Sequence, residues 1–192
     1  MRETIFALST APGLSAISII RISGPSAFSA LKRITKGKIP EARQASFKKI
    51  FWKGDVGDQC IVITFTKNES FSGEETVEIH CHGSIAIVEK LISILVECGP
   101  ALKIRPAEEG EYTRQAFYNG KMDLIQVEGL SDLLRAETEA QRRISFDQLD
   151  GVVSKKIDTW RTKIIAILAF LEADIDFNDQ DLGETAVSYT HL

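Results

Sequence analysis

The hydrophobic pattern changes character near residue 121. Before that point, short apolar runs alternate with longer amphipathic ones. The short runs predict strands over residues 4–8, 16–22, 45–52, 59–65 and 76–81, and a shorter strand around 102–104. The longer runs predict helices over 26–34 and 84–99, the second beginning after Ser84 as its N-cap and ending at Gly99. Residues 1–121 are therefore predicted to form an α+β domain, a mixed sheet with flanking helices.

After Lys121 the apolar residues recur at helical spacing and the sequence contains no proline. A first helix is predicted from Leu124 to about Leu134, and a long apolar stripe runs from Leu149 to Ile175. Gly151 lies inside this stripe, where it either kinks the helix or allows close packing. Because such a stripe needs another helix against it, residues 122–182 are predicted to be part of an incomplete all-α helical domain. Residues 183–192 are assigned to no element.

Composition narrows the class of protein. The chain has 192 residues, of which 44% are hydrophobic and 26% charged, as in soluble globular proteins of one or two domains. A formal charge of −4 excludes a module that binds nucleic acid mainly through its own positive field, so any RNA would be met by a local patch or by another subunit. No apolar run is long enough for a membrane helix, and we expect no membrane segment.

The three cysteines are odd in number and lack C-x-x-C spacing. This pattern predicts neither a disulfide framework nor a zinc ribbon, and it fits a reducing, cytosolic compartment. The residues are Cys60, Cys81 and Cys98.

Residues 119–124 read NGKMDL, which resembles a guanine-binding N-K-x-D box. Gly120 interrupts that box, however, and the sequence contains neither G-x-x-x-x-G-K-[ST] nor G-x-G-x-x-G. As local structure, Asn119 and Gly120 suit a turn with positive φ. Asp123 and Gln126 resemble a capping box that opens the next helix. The turn and the cap account for these four residues, but they give no reason for a lysine at position 121.

Strand alternation places Thr76, Glu78, His80 and His82 on one face of the strand at 76–81. Three interpretations stay open. The carboxylate and imidazoles could bind a metal, although i and i+2 positions on a flat strand close a tetrahedron poorly. They could form a polar face without a site, or Glu78 could recognise hydrogen-bond donors on a small ligand.

Arg21 follows an isoleucine-rich run near the end of a predicted interior strand. An arginine in that position must reach water along its stem or pair with another group. It could form a salt bridge with Glu78, or its forked donors could hold an anionic or carbonyl group of a ligand.

Four ordered stretches, together with the long helix after them, resemble the N-terminal part of the tRNA modification GTPase family called MnmE or TrmE. They read ETIFALSTAPG, ISIIRISGPSAF, SFSGEETVEIHCHGS and EYTRQAFYNGKMDLIQVEGLSDLLRAETEAQ. The resemblance covers about residues 2–182. It implies that residues 1–121 form a tetrahydrofolate-binding and dimerisation domain similar to that of aminomethyltransferases. Residues 122–182 would begin the helical domain into which the family inserts a Ras-like G domain.

The resemblance also implies a cytoplasmic homodimer that works with the flavoprotein MnmG. Together such proteins install a (carboxymethyl)aminomethyl group at C5 of the wobble uridine of tRNA. A tetrahydrofolate derivative, 5-formyl- or 5,10-methylene-tetrahydrofolate, would donate the one-carbon unit. GTP with Mg and K would be used only by the full-length protein, because the G domain is absent from this sequence and no GTPase activity is expected from the chain alone.

Carried over position by position, the resemblance implies that Arg21, Glu78 and Lys121 bind folate, with no metal site and no catalytic residue in this chain. Because a pterin presents adjacent N–H donors, we assign Glu78 to the pterin edge and the two cations to ligand acceptors. Two features depart from the family pattern. Residues 109–112 read EGEY where the family commonly has PGEF, and residues 183–192 do not continue the pattern, which we interpret as truncation or a read error.

Two alternatives to this function remain open. The chain could be a non-catalytic dimerisation scaffold that no longer binds folate. It could also be a stand-alone folate-dependent protein similar to an aminomethyltransferase, although the unpaired helix stripe argues against that alternative.

Overall fold

A computed structural model of the chain describes residues 3–176, which divide into two compact units, one ending at Asp123 and one beginning at Leu124. The first unit contains a six-stranded sheet in the order β3-β4-β5-β2-β1-β6, antiparallel except for the parallel pair β1 and β6. The sheet and its helices confirm the predicted α+β class. Their bounds are β1 Thr4–Leu8, β2 Ile17–Ser23, α1 Ala27–Ile34, β3 Ser46–Trp52, β4 Asp55–Phe65, β5 Thr76–His82, α2 Ile85–Leu102, β6 Ile104–Pro106 and α3 Glu111–Tyr118.

One face of the sheet forms the hydrophobic core with α1 and α2. Strand alternation directs Ile20 and Ile22 of β2, and Val77 and Ile79 of β5, into this core. Leu31 of α1 and the buried apolar residues of α2 pack against these strand residues. The residues between these positions point to the opposite face, and it is that face which carries Arg21 and Glu78.

The three cysteines are free and buried. Burial, and secondarily the charge of Asp58, raises the pKa of the Cys60 thiol to about 12 and that of Cys81 to about 11. Because the thiolate is the reactive form, these side chains behave as small apolar core residues.

The end of α2 differs from the prediction. Gly99 does not stop the helix, which continues through Pro100 to Leu102 and ends at Lys103 in the left-handed region. The glycine is needed for another reason: a Cβ on Gly99 would lie 2.9 Å from the backbone oxygen of Ile104. Close approach of β6 therefore explains Gly99, and β6 begins two residues later than predicted.

Strand β4 begins earlier than predicted, at Asp55. Lys53 and Gly54 both have positive φ and connect β3 to β4 as a two-residue hairpin loop. Pairing therefore starts immediately at Trp52 and Asp55, although the residues that follow are too polar for the hydrophobic pattern to reveal them.

The second unit is helical, as predicted, with α4 Leu124–Arg135, α5 Glu139–Leu149 and α6 Val152–Asp176. A capping box between Thr138 and Gln141 begins α5. Gly151, at φ +79°, lies between α5 and α6, so the stripe starting at Leu149 belongs to two helices and the prediction of one continuous or kinked helix was wrong. The tail at 183–192 lies outside the described residues. Between residues 3 and 176, no helix combines the length and apolarity needed to cross a membrane.

Candidate functional site

The candidate site lies on the sheet face that α1 and α2 leave uncovered. Residues directly opposite each other on antiparallel strands share a face, so the register defines two rows of side chains there. One row contains a glutamate and an arginine side by side, and the other contains a histidine among apolar residues. The first contains Ile63, Glu78, Arg21 and Ala7, and the second Phe47, Ile61, His80 and Ile19.

Arg21 and Glu78 form a salt bridge across β2 and β5. Arg21 Nε and Nη2 donate to Glu78 Oε1 at 3.0 and 2.8 Å. The two side chains are 27% and 16% exposed, so the pair is only partly covered. Of the open interpretations of Arg21, the structure confirms the salt bridge. Both donors converge on one oxygen, and no hydrogen bond to Oε2 is described within residues 3–176.

Two aromatic rings flank the Arg21 guanidinium. Its central carbon lies 5.4 Å from the ring centroid of Tyr112 and 6.0 Å from that of Phe71. The Tyr112 hydroxyl donates to the backbone oxygen of Arg21 at 2.7 Å, which ties α3 to β2. Burial raises the pKa of the Tyr112 phenol, so this group stays a neutral donor. The cation–π contacts hold the guanidinium in place while leaving part of it accessible.

The start of α3 is held by a second ion pair. Arg105 donates from Nη1 and Nη2 to the two carboxylate oxygens of Glu111 at 2.9 and 2.7 Å, and Arg114 lies 3.1 Å from Glu111 Oε1. The Glu111 side chain is 8% exposed, and the Arg105 guanidinium lowers its pKa to about 2. This pair fixes the residue that directly precedes Tyr112.

The loop at residues 66–75, between β4 and β5, borders the site through buried hydroxyl groups. The hydroxyl oxygens of Ser23 and Ser72 lie 2.7 Å apart, and the Ser23 hydroxyl donates to Gln115 Oε1 at 2.7 Å. Because Ser23 belongs to β2 and Gln115 to α3, the network connects the loop to both elements.

Asn119 adds a direct contact to the same loop. Its Nδ2 donates to the Ser72 backbone oxygen at 2.8 Å. Gly73 has φ +74°, and a Cβ there would lie 2.7 Å from Asn119 Cβ. A glycine is therefore required both for the backbone conformation and for the close approach of Asn119.

Lys121 follows the predicted turn after α3. Gly120 has φ +67°, which confirms the turn. The backbone N–H of Lys121 donates to the backbone oxygen of Ala116. The exposed Lys121 Nζ donates to the backbone oxygen of Asn68 at 2.6 Å. The described contacts thus bring Arg21 and Glu78 together directly, whereas Lys121 is connected to them only through the loop at 66–75.

The two histidines of β5 have different environments. His80 Nε2 lies 3.5 Å from Glu78 Oε2, and it is buried without a hydrogen-bond partner. His82 instead pairs through Nδ1 with Asp58 Oδ1 at 2.8 Å, and Asp58 Oδ2 accepts its backbone N–H at 2.9 Å. Among residues 3–176, no group of three His, Cys, Asp or Glu side chains is placed to hold a metal ion. The metal interpretation of this strand face finds no support there.

The hydrophobic pattern gave no indication that aromatic and amide side chains surround the Arg21–Glu78 pair. It did not predict α3, and it carries no information on the loop at 66–75. Phe71, Tyr112 and Asn119 reach the site from a loop and a helix distant in sequence. The Asn-Gly turn was the only local signal for this part of the site.

Comparison with known proteins gives two consecutive family matches. The family model described as GTP-binding protein TrmE N-terminus matches residues 4–121, and the MnmE helical domain matches residues 124–190. The second match extends past residue 182, where the resemblance was expected to end.

Curated relatives match over nearly the whole chain. A protein named tRNA modification GTPase MnmE from Caulobacter vibrioides is 46% identical over 184 residues, covering 96% of this chain and 40% of the relative. Proteins of the same name from Cereibacter sphaeroides and a Methylobacterium species are 42% and 40% identical, covering 94% and 100% of this chain and 41% and 44% of the relatives. The chain spans about two fifths of the length of these relatives. By these matches, the chain belongs to the TrmE/MnmE family and comprises sequence of its N-terminal and helical domains.

Proposed function

We propose that the first unit binds a tetrahydrofolate derivative at Arg21, Glu78 and Lys121. The observation that carries this proposal is the partly exposed Arg21–Glu78 pair on an open sheet face, with Oε2 of the carboxylate unused by Arg21. Because this pair is accessible, Arg21 and Glu78 can give up part of their contact with each other and bind polar groups of a ligand instead.

The residues present fit a reduced folate. Glu78 Oε2 accepts an N–H of the pterin ring, and the flat ring system can lie beside Phe71, whose side chain is exposed. Arg21 and the exposed Lys121 provide cations for the 4-oxo group and the glutamate tail. The bound folate supplies the one-carbon unit, whereas the protein residues bind and orient it.

At the level of the whole protein, we propose a part in the modification of wobble uridine in tRNA. The relatives are named tRNA modification GTPase, which supports this role. On this proposal the protein acts in the cytoplasm with the flavoprotein MnmG to form the (carboxymethyl)aminomethyl group, and GTP, Mg and K are bound by a G domain outside this sequence.

The folate proposal is tested by calorimetric titration of the unaltered chain and of Arg21→Ala with 5-formyltetrahydrofolate. We expect saturable binding by the unaltered chain and about tenfold or weaker binding by the variant, because it lacks a charged donor to the ligand and leaves Glu78 unpaired. Lys32→Ala on α1, behind the opposite face of the sheet, serves as the control. A folded chain without binding would instead favour the dimerisation scaffold.

We further propose that the open sheet face contributes to a homodimer. Phe47, Ile61 and Ile17 on this face are 65%, 45% and 58% exposed, and Phe47 lies directly opposite Ile61. Neighbouring exposed apolar side chains are typical of a protein–protein contact. Ile61→Glu is expected to shift the protein toward monomer in sedimentation equilibrium, because it places a charge in the contact. Glu69→Gln, at an exposed position of the loop at 66–75, is expected to leave the association unchanged. A monomeric unaltered chain would contradict the proposal.

Helix α6 favours a role within a larger protein over a stand-alone aminomethyltransferase. Its Trp160, Ile164 and Leu168 are all exposed and lie at helical spacing, as on a helix that packs against another helix. Aminomethyl transfer by the isolated chain would favour the stand-alone alternative instead.

A further inference from the structure

The unpartnered Nε2 of His80 is the feature of the site that the proposed function leaves unexplained. This atom is buried, makes no hydrogen bond, and lies 3.5 Å from Glu78 Oε2. Leaving a buried polar atom unpaired destabilises the fold, and proteins seldom keep such an atom without a use for it.

The acceptor positions of Glu78 indicate what that use is. A carboxylate offers about four lone-pair positions, two on each oxygen. Arg21 directs both of its donors to Oε1, so Oε2 is the oxygen that remains for other partners. His80 Nε2 is beside Oε2 but too far for a good hydrogen bond, so a small side-chain rotation is needed to bring the two atoms together.

We propose that His80 is a positioning residue for Glu78: it donates Nε2–H to Oε2 when a ligand binds, and so fixes the orientation in which Oε2 accepts the ligand's N–H. The inference rests on the proposed folate function and adds a specificity rule to it. With Arg21 on Oε1 and His80 on one side of Oε2, a single acceptor position faces the ligand. The site therefore takes a ligand with one N–H donor beside a carbonyl acceptor, as on the lactam edge of a 4-oxopterin, with Arg21 near the carbonyl.

Two substitutions of His80 separate this role from a structural one. His80→Leu removes the donor, and His80→Gln keeps an N–H at a similar reach. We expect His80→Leu to bind 5-formyltetrahydrofolate about tenfold more weakly and His80→Gln to stay within about threefold of the unaltered chain. The thermal stability of the ligand-free His80→Leu variant should be unchanged or higher, because the substitution removes an unpaired buried atom.

His82→Leu is the matched control, since His82 lies on the same strand but pairs with Asp58. Its affinity for the ligand should equal that of the unaltered chain. A second ligand, the 4-amino analogue of the same reduced folate, tests the specificity rule. The unaltered chain should bind it at least tenfold more weakly than the 4-oxo compound, and His80→Leu should reduce that difference.

The outcomes are distinct. Equal affinities of the unaltered chain and His80→Leu would overturn the inference and leave the folate proposal standing. Equal losses in His80→Leu and His82→Leu, or a loss of affinity in His80→Leu that accompanies a loss of stability, would assign His80 a structural role. An unaltered chain that is folded but binds no folate would overturn the proposed function, and this inference with it.

Discussion

Replacement of Glu78 by glutamine is expected to weaken binding of 5-formyltetrahydrofolate more than tenfold, at least about 1.4 kcal/mol of binding free energy. The amide is neutral and has one acceptor oxygen, so it cannot hold both donors of Arg21 and an N–H of the ligand. Its NH₂ group would also face a ligand donor. Calorimetry of the unaltered and variant chains measures the difference.

Glu89→Gln is the matched control, because it makes the same chemical change at an exposed position of α2, which packs against the other face of the sheet. Its affinity should not change. An unchanged affinity in Glu78→Gln, with the fold intact by circular dichroism, would remove Glu78 from the site.

The largest effect on stability is expected at Glu111. Glu111→Gln should lower the free energy of unfolding by about 2 kcal/mol near neutral pH, because a neutral amide replaces the buried carboxylate that accepts hydrogen bonds from Nη1 and Nη2 of Arg105. Urea unfolding followed by circular dichroism measures the change. Glu109→Gln, two residues earlier and exposed, should have little effect.

The effect of Glu111 should depend on pH in one direction. Its pKa falls from an ordinary value of 4.5 to about 2 in the folded protein. A lowered folded-state pKa means that the carboxylate contributes stability above pH 4.5, and that this contribution is lost as the pH falls toward 2. The difference between the unaltered chain and Glu111→Gln should therefore shrink over that interval. A difference that stays constant from pH 7 to pH 3 would contradict this account.

Strand alternation was sufficient to place Glu78 and His80 together on one face, because from Val77 to His82 the buried residues of β5 alternate with partly or fully exposed ones. The isoleucine-rich run before Arg21 likewise predicted an interior strand. The salt bridge was left open as one alternative, since it depends on the register of two strands far apart in sequence. Local periodicity carries no information about that register.

The glycines show where local rules fail. Gly99 resembles a helix stop, but its role is close contact with β6, whereas Gly151 lies within a continuous apolar stripe yet separates two helices. The contact of Lys121 with Asn68 was equally unpredictable, because it joins a turn to a loop through a backbone oxygen.

The central claim is that folate binds on the open face of the sheet at Glu78 and Arg21. A crystal structure of the chain with 5-formyltetrahydrofolate tests it most directly. The account predicts a pterin N–H within hydrogen-bond distance of Glu78 Oε2, with Arg21 near the 4-oxo group and Lys121 toward the glutamate tail. A pterin bound elsewhere on the chain, with the Arg21–Glu78 pair untouched, would contradict it.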